Sequence, residues 1–422
     1  MRIEFYGGRI SGRVTPPPSK SHTHRAFFLA AMAKGRSTIK NMLLSDDTES
    51  TLRACGSIGA SVIYDVGDVM LDGGRLQAPD SLVDCRNSGT TMRLFTGICS
   101  MFSEEAHITG DDTLIRRPMG PLLDALEQMG VQCDSNDGFP PVMVKGPNKG
   151  GEVSIDGSKS SQYATAIIIC APMLENDTII TVTGKMISEP YIDITLDIMR
   201  QFGATVEKEG NVFKIKGDTG YKPCDYTIPG DPSSAAFPLV AGALGGKVTV
   251  HGMDKEGKGD AGLVEILEDA GCKVKWKDND VTVKSGWGRI KPMDVDVGNI
   301  PDLFPILAVL LSTADGESRL YGAPHLKFKE SDRIATTVDM LNAIGADATA
   351  TDDGCIIRGQ KKLKGGRIDA KGDHRILMAA GVASIVCEEP VVFEGGRCFD
   401  VSYPAFLTDM ERIGLKIKDA EN

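Results

Sequence analysis

The chain has no apolar run long enough to cross a bilayer as a helix. A span needs roughly 18 uninterrupted apolar residues. The longest candidates, residues 166–174 and 304–311, are short, and each contains a proline. The opening residues, Met1-Arg2-Ile3-Glu4-Phe5-Tyr6, include an acid and no apolar core, so no secretory signal is read there and a cytoplasmic location is expected. No Cys-x-x-Cys pair occurs among the ten cysteines. Cys99, Cys170 and Cys387 have apolar neighbours, as suits reduced thiols in a core, and a structural zinc site is not expected. The six histidines are equally scattered; His22 and His24 lie two apart without a recognisable third ligand, so no metal is expected. A positive surface is missing too. The net charge of −11 argues against a broad basic face for nucleic acid. Any anionic ligand must therefore be met by a local cluster of cations.

Nucleotide signatures are also absent or incomplete. Gly242-Ala-Leu-Gly-Gly246-Lys247 has the wrong spacing for a phosphate-cradling Walker loop and lacks its Ser/Thr. Gly257-Lys258-Gly259-Asp260-Ala261-Gly262 matches the dinucleotide fingerprint, but the helix after it ends by Gly271, only about ten residues on. No Gly-x-Ser-x-Gly elbow occurs.

What is present is the balance of a globular protein, 41% apolar and 25% charged, in 422 residues, enough for two or three domains. One phrase occurs six times: an apolar-spaced run, a glycine, then a short alternating segment. The glycines are Gly59, Gly130, Gly203, Gly271, Gly345 and Gly414, spaced by 71, 73, 68, 74 and 69 residues. Each phrase reads as an amphipathic helix that ends at a glycine free to take positive φ, after which the chain returns as a strand. In the third copy a turn at Gly210-Asn211 joins two alternating strands, and in the fourth a turn at residues 278–280 does the same. A period near 70 exceeds the roughly 20–50 residues of solenoid units and suits a unit of two helices and several strands. The sixth copy runs out after residue 418, and its missing partner strand is expected at residues 2–6. That places residues 15–228 in one domain and residues 1–14 plus 229–422 in the other. Two crossings, near residues 15–20 and 228–231, would form a hinge beside a cleft.

Charged and hydroxyl residues recur at helix starts. After Pro16-Pro17-Pro18, an Ala- and Leu-rich helix is expected from His22 to Lys34, with Ser19 or Ser21 as its cap and Lys20 and Arg25 in its first turn. Cations there oppose the helix dipole, and a bound anion would reconcile them with it. Residues 84–93 (Asn87, Gly89 and Arg93 among them), Arg116-Arg117-Pro118 and Ser158-Lys159-Ser160-Ser161-Gln162 repeat the theme. Later, residues 327–333 pack five charges into seven positions, and Asp373-His374-Arg375 precedes another apolar helix. Asp302 is a lone acid in the proline-bounded run 300–305, readable as a proton-transfer group or as a plain N-cap.

Taken together these segments resemble the 5-enolpyruvylshikimate-3-phosphate synthase family. The motifs are Ser19-Lys20-Ser21-x-x-x-Arg25-Ala26, Asn87-x-Gly89-Thr90-x-Met92-Arg93, Arg117-Pro118, Ser160-Ser161-Gln162, Ser188-x-Pro190-Tyr191, Gly230-Asp231-x-Ser233-Ser234, Pro301-Asp302, Lys329-Glu330-x-Asp332-Arg333 and Asp373-His374-Arg375. The resemblance implies an α/β fold of two domains, each of three βαβαββ repeats about a pseudo-threefold axis, with an active site in the interdomain cleft. It implies transfer of the enolpyruvyl group of phosphoenolpyruvate to the 5-hydroxyl of shikimate 3-phosphate, with release of phosphate, in aromatic amino-acid biosynthesis. No cofactor, no metal, no nucleic acid and no membrane are implied, and a monomer is expected. Ser160, Ser161 and Ser188 would hold the shikimate phosphate, Ser21 and Arg25 the carboxylate, with Gln162, Tyr191, Lys329 and Asp302 around the ring. Lys20, Asn87, Gly89, Arg117, Gln162, Arg333 and Arg375 would meet phosphoenolpyruvate. The catalytic set would be Lys20, Glu330 as the acid that protonates the enol carbon, and Asp302 as the base for the attacking hydroxyl.

The sequence departs from the family pattern at three places. Val401 stands where many members have lysine, His325 where an asparagine is frequent, and Leu94 where a proline often follows the Met-Arg pair. Three other readings share some of the features. Enolpyruvyl transfer to UDP-N-acetylglucosamine usually requires a cysteine on the loop before an Arg-Pro, and residues 113–117 have none. A silent phosphometabolite-binding module would keep the arginines without needing Glu330 and Asp302. An RNA-end-processing relative is disfavoured by the acidic balance and the lack of interleaved basic and aromatic residues.

Overall fold

The structure, a computed structural model, describes residues 1–65, 67–286 and 288–420. The chain divides into two compact units. The first is Pro18–Ile228; the second joins Met1–Pro17 to Pro229–Asn422.

Helices come in pairs. The first unit carries α1 (Lys20–Met32), α2 (Asp46–Ser57), α3 (Gly89–Cys99), α4 (Gly120–Gln128), α5 (Ser161–Cys170) and α6 (Glu189–Gln201). The second carries α7 (Pro232–Gly245), α8 (Leu263–Asp269), α9 (Phe304–Leu311), α10 (Arg333–Ala343), α11 (His374–Ala383) and α12 (Phe406–Arg412). Odd-numbered helices are apolar on nearly every side and lie inside their unit. All eight residues of α9, from Phe304 to Leu311, are buried, each large side chain contributing about 1.5–3 kcal/mol. Even-numbered helices are amphipathic: α6 buries Ile192, Thr195, Leu196 and Met199, one face at helical spacing, and leaves its acids outside. In the second unit α7, α9 and α11 pack on one another. In the first, α3 packs on α5, and Phe28 of α1 stacks on Phe95 of α3 at 6.1 Å.

Each even helix ends before one of the six periodic glycines, and all six have positive φ, from 82° to 106°. A side chain there would strain the reversal that sends the chain back as a strand.

Among the described residues the strands form six four-stranded sheets of one design. In the third repeat Gly151–Asp156 runs parallel to Thr178–Thr183, with α5 as the crossover. After α6, Val206–Glu209 and Val212–Ile215 return as a hairpin that adds antiparallel to the same sheet. This is the βαβαββ unit.

Three sheets are completed by strands distant in sequence. Asp225–Thr227 runs parallel to Gly35–Lys40, and Ile10–Val14 runs parallel to Gly246–Val250. Arg2–Phe5 lies between Val391–Glu394 and Ile417–Ala420, antiparallel to both.

Local differences from the sequence reading are small. The first helix begins at Lys20, not His22, because the Ser19 hydroxyl caps it by accepting from the His22 amide. The α11 helix ends at Ala383, and a single tight turn, Ser384–Val386, follows it. All ten cysteines are free. Among the described residues no helix is long and apolar enough to cross a membrane, and no three His, Cys, Asp or Glu side chains gather as a metal set.

Candidate active site

In the first unit, the starts of the buried helices are connected side chain by side chain. Lys20, the first residue of α1, pairs with Asp47 of α2 at 2.9 Å. Further along α2, Thr51 shares a 2.7 Å hydrogen bond with Thr91 of α3 and a 2.6 Å bond with Nδ1 of His24. Arg93 Nη1 donates to Gln162 Oε1 at 2.7 Å, and Gln162 Nε2 donates to Thr90 at 2.9 Å, which joins α3 to α5. Arg117 Nη2 donates to Asn87 Oδ1 at 2.5 Å. Gly89 lies against both guanidiniums: a Cβ there would come within 3.1 Å of Nη1 of Arg117 and of Arg93. Lys20, Asn87, Gly89, Arg117 and Gln162 are thus members of one network.

Arg25 is a buried cation held by neutral groups. Its Nε donates to Thr195 Oγ1 at 2.7 Å, its Nη1 to the Ser21 carbonyl at 2.9 Å, and its Nη2 to the Tyr191 carbonyl at 3.3 Å. Burial lowers its guanidinium to about 10, with Tyr191 opposing. A buried guanidinium held by neutral oxygens is suited to an anionic ligand. The neighbouring histidines stay neutral: burial, followed by Arg25, pushes His22 down to about 4, and burial takes His24 well below its ordinary value.

The serines occupy helix caps. Ser160 Oγ accepts from the Gln162 amide at 3.2 Å at the start of α5, leaving its proton for an outside oxygen. Ser161 is buried in the first turn. Ser188 occupies the position before α6 in the left-handed region at φ 52°, a conformation rare for a residue other than glycine, and its side chain makes no capping bond. No acid occupies the first turn of α1, α3 or α5, so nothing offsets the positive dipole ends there.

In the second unit the charges converge on Arg333. This fully buried guanidinium bonds Asp373 Oδ2 through Nε at 2.9 Å and Asp302 Oδ1 through Nη1 at 2.8 Å, and its Nη2 donates to Glu330. The other oxygen of Asp302 accepts from Arg375 Nη2 at 2.8 Å. Asp302 therefore bridges two arginines. It does not cap α9, whose cap position is Leu303, so the plain N-cap alternative is withdrawn. Burial raises the Asp302 carboxyl, but Arg375, Lys329 and Arg333 outweigh it and hold the group well below the ordinary carboxylate range. Burial likewise opposes the charge on Arg333, and Asp373, Glu330 and Asp302 more than compensate, so its value rises. Arg375 Nη1 is buried without a hydrogen-bond partner.

Lys329, Glu330, Arg333, Asp302 and Arg375 thus lie in one electrostatic cluster. The three departures lie in different settings. Leu94 is fully buried in the core of α3, His325 is buried in the short turn Pro324–Phe328, and Val401 ends the turn Cys398–Val401.

Sequence reasoning did not single out Asp47 or Thr51, which carry no motif. It quoted Asp231 and Asp373 within motifs without giving them a role. Both cap helices: Asp231 accepts from the Ser233 amide at 3.2 Å and Asp373 from the Arg375 amide at 3.0 Å. An aspartate immediately before the first helical residue was the available signal.

Comparison with known proteins agrees with this architecture. The family model described as EPSP synthase (3-phosphoshikimate 1-carboxyvinyltransferase) matches residues 6–410. The 3-phosphoshikimate 1-carboxyvinyltransferase of Methanocorpusculum labreanum is 42% identical, over 99% of this chain and 100% of its own. That of Methanococcus vannielii is 39% identical over 99% and 100%. Among solved structures, an EPSP synthase from Acinetobacter baumannii superposes with a TM-score of 0.82 at 30% identity, covering 99% of both chains. By fold, by full-length sequence similarity and by the family model, this chain belongs to the EPSP synthases, the 3-phosphoshikimate 1-carboxyvinyltransferases.

Proposed function

We infer that this chain catalyses the reaction for which its family is named: it transfers the enolpyruvyl group of phosphoenolpyruvate to the 5-hydroxyl of shikimate 3-phosphate. The observation that carries the site assignment is Asp302 bridging Arg333 and Arg375 while Arg375 Nη1 lies buried and unbonded. This is a cationic pair held ready for an anion beside two carboxylates able to move protons.

Residues of the first unit supply most of the proposed shikimate 3-phosphate contacts. Ser160, Ser161 and Ser188 bind the phosphate, Ser21 and Arg25 the carboxylate, and Gln162 and Tyr191 flank the ring. For phosphoenolpyruvate, the proposed contacts are Lys20, Asn87, Gly89, Gln162, Arg117, Arg333 and Arg375. Lys329 faces the shikimate ring.

The reaction proceeds by addition and elimination. The 5-hydroxyl oxygen bonds to C2 of phosphoenolpyruvate as its proton passes to Asp302, and Glu330 gives a proton to C3. The tetrahedral intermediate then loses phosphate from C2, which leaves with the proton held by Asp302, and returns a proton from C3 to Glu330, restoring the double bond. In the free protein Asp302 is a poor base because two guanidiniums hold its charge. Substrate anions that draw on Arg333 and Arg375 weaken that hold and raise its proton affinity. The guanidiniums also stabilise the charge of the tetrahedral intermediate.

The chain acts as a cytoplasmic monomer, with these two small molecules as its partners and no nucleic acid, membrane or cofactor involved. Product analysis tests the chemistry: one equivalent of the carboxyvinyl ether of shikimate 3-phosphate is expected per phosphate released. Pyruvate appearing in place of the ether would contradict the transfer.

A further inference from the structure

The second unit contains a buried acid that the reaction above does not use. Asp260 lies in the short turn Gly259–Gly262 before α8, inside the glycine-spaced segment that imitates a dinucleotide fingerprint. The glycines have a local explanation. Gly259 holds φ +64°, and a Cβ on Gly257 would come within 2.9 Å of both Ala261 Cβ and the Asp254 carbonyl oxygen. They allow the tight turn that carries Asp260 inward to 3% exposure.

There Asp260 bonds the hydroxyl of Ser233 at the start of α7. The Ser233 amide donates to Asp231 Oδ1, and Asp231 Oδ2 accepts from Ser234 Oγ at 3.1 Å. Beyond these, Asp302 and Arg375 act on Asp260 electrostatically, and Asp302 couples it to Lys329, Glu330, Arg333 and, through Arg333, Asp373. The cluster holds five carboxylates (Asp231, Asp260, Asp302, Glu330, Asp373) and three cations (Lys329, Arg333, Arg375). Its carboxyl groups outnumber its cations, yet Arg375 Nη1 is buried and unbonded, open to an anion.

An anion at Arg375 increases the repulsion on every ionised carboxylate around it, and a proton on one of them relieves it. Asp302 is held ionised by Arg333 and Arg375, and Asp373 is ion-paired with Arg333. Burial raises the Asp231 carboxyl, but Arg375 and two hydrogen bonds oppose this. Burial, then Asp302, pushes Asp260 up to about 7, although Arg375 opposes this.

We propose that Asp260 is a positioning acid of this site, which takes up a proton when an anionic substrate reaches Arg375 and so makes phosphoenolpyruvate binding proton-linked. The inference rests on the reading of Arg375 as a phosphoenolpyruvate contact. Asp260 bonds no reacting atom; it sets the charge of the shell in which Arg375 and Asp302 work.

The test compares KM for phosphoenolpyruvate in the wild type and in Asp260→Asn at the same pH, so that the titration of the substrate itself cancels. From about pH 6 to about pH 8.5 the wild-type-to-variant ratio should climb, toward a limiting tenfold per pH unit, because only the wild type must bind the proton. Asp260→Glu should restore the climb, which a purely structural role would not. Ser233→Ala removes a hydrogen bond to the carboxylate and should move the climb to higher pH, a readout that survives if the Asn variant fails to fold. A flat ratio in an active wild type overturns the proposal and leaves the family reaction standing. A wild type that neither turns over nor binds phosphoenolpyruvate removes both.

Discussion

Replacing Arg333 with methionine is expected to destabilise the second unit by about 3–5 kcal/mol and to abolish turnover. Arg333 is the one guanidinium bonded to Asp373, Asp302 and Glu330 together. Methionine fills much of the volume but leaves fully buried Asp373 without its cation. The loss should depend on pH in a definite direction. In the wild type the lowered Asp302 value contributes stability that is present above the ordinary carboxylate pKa and lost as pH falls through the folded-state value. In the variant the stranded acids have raised values, so the folded form binds more protons than the unfolded form and stability falls as pH rises. The deficit should therefore be largest at neutral pH and shrink toward about pH 4. Both tryptophans, Trp276 and Trp287, follow residue 228, so tryptophan fluorescence during denaturant titration reads the relevant part of the chain. A methionine variant as stable as the wild type at neutral pH would contradict the account of the buried network.

Glu330→Gln is expected to slow kcat by about 10²-fold or more while leaving KM for both substrates close to wild type. The amide oxygen of glutamine can still accept from Arg333 Nη2, so the guanidinium keeps its third contact. What the amide cannot do is deliver a carboxylic proton to C3 of phosphoenolpyruvate. Steady-state kinetics at saturating shikimate 3-phosphate separates the two effects. Unchanged kcat would remove Glu330 from the proton-transfer role, and a large rise in KM with little loss of kcat would make it a binding residue.

The two results probe one cluster in different ways, and the cluster also shows what the sequence could reveal. Each repeat's helix end was legible because Gly59, Gly130, Gly203, Gly271, Gly345 and Gly414 all need positive φ, a demand local to the chain. Their spacing and the alternating hairpins after Gly203 and Gly271 pointed to a unit of two helices and several strands, and the βαβαββ order came only with the family resemblance. The polar segments that open α1, α3, α5 and α11 were legible too, since caps and polar first turns are local patterns. The helices themselves begin at Lys20, Gly89, Ser161 and His374, ahead of the apolar runs expected from residues 22, 94, 163 and 377.

Pairings between side chains distant in the chain were not legible. Nothing near Asp47 announces Lys20, and nothing near Asp373 announces Arg333, forty residues away in the chain. Asp302 showed the same limit from the other side. A lone acid before an apolar helix reads locally as a cap, and only the folded chain brings two arginines to it. The glycines around Asp260 drew attention to a nucleotide motif, whereas their structural effect is to turn an acid inward. Patterns local to the chain reveal the scaffold; the charges that give the site its chemistry meet only in three dimensions.

Phosphate release by the purified protein reads directly whether this chain joins two anionic substrates and expels phosphate. Release should require both shikimate 3-phosphate and phosphoenolpyruvate and stay at background with either one alone. Background release with both present across a range of pH, or equal release from phosphoenolpyruvate alone, would contradict it.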